Sequence, residues 1–331
     1  MKLLILDTND PYYNLAVEEY IFENAQEETF ILWQNEPCVV IGKNQNVFAE
    51  INLDFTKEQN IKIVRRITGG GAVYHDLGNL NFSYISPTHC GGIDFAKYTH
   101  PILCALKSMS LDAELSGRND ILIDGKKVSG NAQFSKNGRV LHHGTILFNS
   151  DLSVLSSALH VDPEKIKSKA IKSVKSRVAN IKELLCTDLS VIEFRDIIAK
   201  HIEKEFDADR IDAPSSLEID KIYERNASSD WIFPNRELLS KYTLNFKKRF
   251  DFGIIEFCFS MRNELVESLR IYGDFFEINP VFGLEESFSG KTISEIKIGY
   301  KNFKIENYIH GMDSEDLNIL LQNEVLPANN I

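Results

Sequence analysis

Arg65-Arg66-Ile67-Thr68-Gly69-Gly70-Gly71-Ala72-Val73-Tyr74-His75-Asp76 is the densest signal in the chain. Three consecutive glycines lie between β-rich runs, Ile61 to Ile67 on one side and Ala72 to His75 on the other. Glycines widen the unfolded ensemble and bring no side chain to pack, so a run of three needs a reason. The usual reason is close approach of backbone to a ligand, with N–H groups offered to phosphate oxygens. The paired arginines can add charge-assisted contacts to the same anion. The run lacks the Gly-Lys-Ser/Thr ending of a Walker A loop and is not a Gly-x-Gly-x-x-Gly dinucleotide turn. A glycine-rich hairpin with exposed arginines is the plainer alternative.

Outward from this stretch the chain alternates short strands with isolated helices. Asp10-Pro11 pairs a capping residue with proline at the first helical position, which predicts a helix to about Asn24. Strands are expected at Phe30 to Trp33, Cys38 to Ile41 and Asn81 to Ile85. Asp94 opens a second helical pattern, interrupted by Pro101. Ile121 to Ile123 runs into Asp124-Gly125, a hairpin signal, and Val140 to Phe148 reads as another strand. Helical spacing returns over Ser190–Phe206 and Leu217–Asn226. From Tyr242 the texture changes to alternating strands, with helical residues near Ile293–Ile298 and Ser314–Gln322. Without regular βαβ alternation this is an α+β pattern, divided at 243/244 into a large domain (1–243) and a small α+β domain (244–331).

Composition narrows the function. The 331 residues suffice for two cores, and 43% hydrophobic with 26% charged residues is ordinary for a soluble globular protein. No apolar run is long enough to span a bilayer, so no membrane role is expected. Met1 to Asp7 is too short and too soon acidic for a signal peptide and reads as a first strand. Five scattered cysteines, without metal-ligand or redox spacing, suit a reduced cytoplasm. A net charge of −11 argues against nucleic acid as a partner. One local exception, six bases and no acid between Lys165 and Arg177, is either a solvated face or a polyphosphate contact.

Two further motifs carry chemistry. Gly117-Arg118-Asn119-Asp120 precedes Asp124-Gly125-Lys126-Lys127-Val128-Ser129-Gly130. A lysine between a hairpin turn and a Ser-Gly pair can be held rigidly and point into a cleft. There its ammonium can bridge a carboxylate and the phosphate it attacks. Asp120 can accept from that ammonium or hold Mg2+, which favours carboxylate and phosphate oxygens together. His142-His143-Gly144-Thr145 lies in a strand-like run, where neighbours face opposite ways. Both histidines cannot easily serve one metal, and a satisfied structural histidine is the expectation.

Asn14 to Glu19, Gly42-Lys43-Asn44-Gln45-Asn46, Arg65 to Asp76, Gly117 to Asp120, Lys127-Val128-Ser129-Gly130 and His143-Gly144-Thr145, in this order and spacing, resemble the lipoate–protein ligase A family over almost the whole chain. The resemblance implies a biotin/lipoate protein ligase-like catalytic domain, with the sheet-and-helix core of class II synthetases. It also implies a C-terminal accessory domain. It implies activation of (R)-lipoate by ATP and Mg2+ to lipoyl-AMP, then transfer to a lysine of an acceptor. The acceptors implied are lipoyl domains of 2-oxoacid dehydrogenase E2 subunits or the glycine cleavage H protein, served by a monomer in the cytoplasm. Arg66 matches the arginine that contacts nucleotide and substrate. Gly71, Ala72, Val73 and Tyr74 match the segment that wraps the nucleotide. Lys127, directly before Val-Ser-Gly, matches the central lysine, Asp120 falls in the Mg2+–phosphate region, and Ser176 to Asn180 resembles the stretch after the adenylate-binding loop. The rival is a cysteine-dependent octanoyl or lipoyl transferase of the same fold. It requires a nucleophilic cysteine near the lysine motif, and none stands between Gly117 and Lys127.

Overall fold

The computed structural model describes residues 1–88, 92–117, 119–160, 178–234 and 240–322. They form two compact units. The first comprises residues 1–40, 51–65 and 73–228, the second residues 41–50, 66–72 and 229–331.

The first unit is built on an eight-stranded mixed sheet. In chain order its strands include β1 (Lys2–Ile5), β2 (Thr29–Trp33), β6 (Asn79–Ser86), β7 (Ala113–Ser116), β8 (Asp120–Ile123), β9 (Lys126–Lys136), β10 (Arg139–Leu147) and β11 (Asp209–Ile211). Their spatial order is β11-β1-β2-β6-β10-β9-β8-β7. A smaller sheet takes the three remaining early strands, β3 (Cys38–Ile41), β4 (Lys62–Arg65) and β5 (Val73–His75), in the order β4-β3-β5. Only the β1 pairings with β2 and β11 are parallel in the large sheet's recorded registers; the hairpin-linked strands are antiparallel. A mainly antiparallel sheet with parallel pairing confined to β1 is what α+β reasoning expects.

Residue parity separates the two faces of the large sheet. Leu80, Phe82 and Tyr84 of β6, with Phe30 and Leu32 of β2, join the main core with Tyr98, Ile102, Phe194 and Ile198. Those last four come from the Phe95–Ser108 and Val191–Glu205 helices. The alternate residues Asn79, Asn81 and Ser83 lie on the other face, where Ser83 meets Glu18 of the Pro11–Asn24 helix. That helix starts as expected, with Asp10 accepting from the Tyr12 N–H and proline in the first turn. The expected break at Pro101 does not occur. The helix runs through it, losing one N–H donor at a cost of about 3 kcal/mol. Burial of Tyr98, Ile102 and Leu106 offsets this, at roughly 1.5–3 kcal/mol each.

The second unit contains the antiparallel sheet β12 (Leu244–Phe250), β13 (Gly253–Arg262) and β14 (Leu265–Gly273). The Phe282–Ser287, Ile293–Ile298 and Ser314–Gln322 helices follow it, with short 3-10 turns at Tyr300–Phe303 and Ile305–Asn307. Phe246, Phe257, Phe275, Phe288, Leu317 and Leu320 form its core. Residues 41–50 and 66–72 cluster with this unit, so the glycine run is packed by residues some two hundred positions later.

Candidate active site

Lys127 owes its position to a β-bulge. In the β8–β9 pair, Ile121 lies opposite Ser129 while Leu122 lies opposite Lys127, which leaves Val128 as the additional residue. Val128 and Ile121 both enter the main core. Lys127 is thereby turned to the face shared by Asp120 and its partner Gly130. Its Nζ lies 2.7 Å from Asp120 Oδ1, with both side chains about one-third exposed (37% and 34%). The ammonium lies over Gly130: a Cβ there would come within 3.1 Å of Nζ. Glycine at 130 thus makes room for the lysine. The Lys127 carbonyl accepts from the Ala179 N–H at 3.0 Å, so the chain after the basic stretch is tied to the lysine's own backbone. Asn180 is buried and fixes Ser150 through both ends of its carboxamide. Lys126, the neighbouring residue, is exposed.

A second cluster occupies the same sheet face. Glu18 is buried, with Oε1 accepting from Ser83 Oγ and lying 2.8 Å from His143 Nδ1. Ser83 in turn accepts from Trp33 Nε1 at 3.0 Å. His143 is therefore satisfied, as expected for one of the two adjacent histidines. His142 points the other way, into Phe82, Phe95 and Tyr98. Neither of its ring nitrogens has a hydrogen-bond partner, and burial lowers its pKa to about 3. It is a neutral core residue.

The glycine run has a different logic. The Arg66 guanidinium is buried and donates to Thr68 Oγ1 at 2.9 Å, to the Gly69 carbonyl at 2.6 Å and to the Gly71 carbonyl at 2.9 Å. It braces the loop from inside. A Cβ on Gly69 would meet the Phe275 carbonyl oxygen at 2.1 Å. Gly70, at φ +91°, faces the Phe276 ring and donates to the Phe275 carbonyl. Gly71 alone is open, its nearest neighbour being Asp274 at 4.0 Å. Close packing thus accounts for two of the three glycines and leaves the third open. Val73 and Tyr74 continue as β5 against Val40 and Val39 of β3. Burial first, then the carboxylates of Asp76 and Asp151, push the Tyr74 hydroxyl up to about 12, so it remains a neutral donor. Lys127 and Asp120 meet within the first unit, whereas Arg66, Gly71 and Ala72 belong to the second.

The residues fit a phosphate-bound magnesium ion in one respect. Mg2+ held with substrate needs only one or two protein carboxylates, and Asp120 offers one that is partly exposed. No larger group of metal-ligating side chains occurs among the described residues. Among the described residues no cysteine forms a hydrogen bond with Lys127. Burial pushes the thiols of Cys38 and Cys258 far up, Cys104 lies on the Phe95–Ser108 helix beside His100, and Cys186 is exposed. His89-Cys90, Arg118 and the Lys165–Arg177 stretch, with Ser176, lie outside the described residues. Among the described residues no helix is long and apolar enough to cross a membrane. Reading the sequence alone passed over Asn81 as a site residue; the cross-strand register places it opposite Thr145.

Two family models match the chain: the lipoyl protein ligase A/B catalytic domain over residues 10–203 and the bacterial lipoate protein ligase C-terminus over residues 240–321. Lipoate-protein ligase LplJ of Bacillus subtilis is 39% identical over 321 residues, covering 93% of this chain and 96% of that protein. The structure of P. falciparum LipL1 in complex with lipoate superposes with a TM-score of 0.80 at 26% identity, covering 97% of this chain and 99% of that one. A crystal structure of lipoate-protein ligase A bound with ATP matches at a TM-score of 0.59 and 27% identity, covering 70% and 98%.

Proposed function

The chain belongs to the lipoate–protein ligase family, and from that premise we propose how its own residues divide the work of joining lipoate to protein. The protein is an ATP-dependent ligase that forms lipoyl-AMP and then lipoyl-protein, with release of pyrophosphate and AMP. The lipoate carboxylate attacks the α-phosphorus of ATP and pyrophosphate departs. An acceptor lysine amine then attacks the acyl carbon and AMP departs. No protein nucleophile is required, so catalysis comes from positioning and fixed charge.

The observation that carries this assignment is the bulge-held Lys127, paired with Asp120 over Gly130. A fixed ammonium there neutralises the charge shared by the attacking carboxylate and the α-phosphate. Asp120 orients that ammonium and would help hold magnesium, which would supply neutralisation of phosphate charge. Arg66 keeps the glycine run in shape and contacts nucleotide and substrate, and Gly71, Ala72, Val73 and Tyr74 present backbone to the nucleotide. The catalytic domain spans 1–243 and the accessory domain 244–331. The enzyme acts in the cytoplasm as a monomer, on lipoyl domains of 2-oxoacid dehydrogenase E2 subunits or the glycine cleavage H protein. Mass spectrometry of the protein incubated with ATP, Mg2+ and lipoate, without acceptor, tests this reading. Bound lipoyl-AMP with released pyrophosphate is the expected result. Transfer from an octanoyl carrier without ATP would replace the ligase by the cysteine-dependent transferase.

A further inference from the structure

The sheet face that carries Lys127 also carries an amide with no assigned task. We infer that the Asn81 carboxamide donates a hydrogen bond to the acyl oxygen of the substrate in both half-reactions; this rests on the ligase reading of the same face.

Asn81 lies on β6, opposite Thr145 of β10 on one side and Trp33 of β2 on the other. Thr145 Oγ1 accepts from the Gly130 N–H at 3.3 Å, and the Lys127 ammonium lies over Gly130. Two residues along β6 in the other sense, Ser83 joins the Glu18–His143 pair. Asn81 therefore shares this sheet face with Thr145 and Ser83, the one bonded to Gly130 beneath the ammonium and the other to the buried Glu18. Its side chain is buried, at 1% exposure. Asn79 Nδ2 donates to Asn81 Oδ1 at 2.8 Å, which directs Asn81 Nδ2 away from Asn79. That Nδ2 has no hydrogen-bond partner among the described residues. Burying an amide donor without a partner is unfavourable, and such a donor on the same face as the Lys127 ammonium suits an acceptor brought by the ligand.

The reaction supplies that acceptor twice. In adenylation one carboxylate oxygen bonds to the α-phosphorus while the bond to pyrophosphate breaks. The other oxygen remains as a carbonyl, which Nδ2–H holds in line. In transfer the amine nitrogen adds to the acyl carbon and the carbonyl electron pair moves onto that oxygen. Collapse re-forms the carbonyl, breaks the bond to AMP and releases the amine proton. A donor already aimed at the oxygen stabilises the intermediate.

Single-turnover transfer from preformed lipoyl-AMP to an apo lipoyl domain isolates the second step. Asn81→Ala is expected to slow it about 100-fold with little change in lipoyl-AMP affinity. Asn81→Asp, of the same shape without the donor, is expected to be at least as slow, and Asn81→Ser to recover part of the loss. Wild-type rates in Asn81→Asp would mean that the position accepts rather than donates, which overturns the inference. Variants that lose thermal stability but transfer normally would reduce the amide to a structural or water-binding group, with the same consequence. A wild-type protein that makes no lipoyl-AMP from lipoate and ATP would instead remove the ligase reading itself.

Discussion

The β8–β9 hairpin and the glycine run are held in opposite ways. The hairpin is local: a two-residue turn and a bulge within ten positions of it aim Lys127, which stays partly exposed beside Asp120. The glycine run is shaped at long range. Gly69 and Gly70 are pressed against Phe275 and Phe276, and Arg66 is occupied by the loop's own carbonyls. A reactive charge is therefore best sought where a side chain is rigidly aimed yet lightly engaged. An invariant-looking backbone run can be answering to packing as much as to ligand.

The sharpest way to break this contrast is at the hairpin. Lys127→Ala should lower the rate of lipoyl-AMP formation by roughly 1000-fold, the scale of losing a fixed charge at a reacting centre. Lys126→Ala should leave that rate within about twofold, since a solvent-exposed side chain away from the reacting atoms supplies no transition-state contact. The reverse result would put the wrong lysine at the site. On the glycine side, Gly69→Ala drives a methyl into the Phe275 carbonyl and should lower unfolding free energy by about 2–3 kcal/mol. Gly71→Ala should leave stability within about 0.5 kcal/mol and appear instead as a raised KM for ATP. Equal destabilisation by both in urea melts would end the distinction between packing and ligand glycines.

Beneath the neighbouring strand, His142 provides a smaller effect that depends on pH. Its folded pKa of about 3 lies below the value near 6.5 expected when unfolded. As pH falls through 6.5 the unfolded chain takes up a proton that the folded chain refuses until about pH 3. Stability is therefore fully present above pH 6.5 and is lost at about 1.4 kcal/mol per pH unit below it. Between pH 7 and pH 5 the wild type should lose about 2 kcal/mol more than His142→Leu in denaturant unfolding. Identical acid sensitivity in the two proteins would show that His142 is solvated or paired. Smallest is Gly130→Ala, whose methyl meets only the flexible end of Lys127. Stability should hold while kcat falls about 10-fold through displacement of the ammonium; an unchanged kcat would show that the lysine does not depend on that gap.

Much of the architecture was legible because its signals are local. Asp10-Pro11 caps its helix, the Ser190 capping box starts the Val191–Glu205 helix, and Asp124-Gly125 adopts two positive φ angles (51° and 71°) at the hairpin. Asn137-Gly138 is an equally strong turn signal between β9 and β10 that went unread, and it adopts the same conformation. Pro101 was misread because proline's cost is local while the burial that offsets it is not. Of the site, Lys127 and Asp120 were visible as a turn-flanked lysine and a nearby acid. The opposed faces of His142 and His143 followed from strand parity. Asn81 was not visible. Its residue type is unremarkable, and its interest arises only from what lies across β10.

The sequence by itself determined the α+β class, most element positions, and the motif set that belongs to a lipoate ligase. These depend on side-chain period, caps and turn chemistry, all of which act over a few residues. The tertiary structure alone decided which face Lys127 occupies, because one additional residue in β9 reverses the alternation that a sequence pattern assumes. It alone divided the three glycines, two against Phe275 and Phe276 and one open, because that division depends on chain some two hundred residues away.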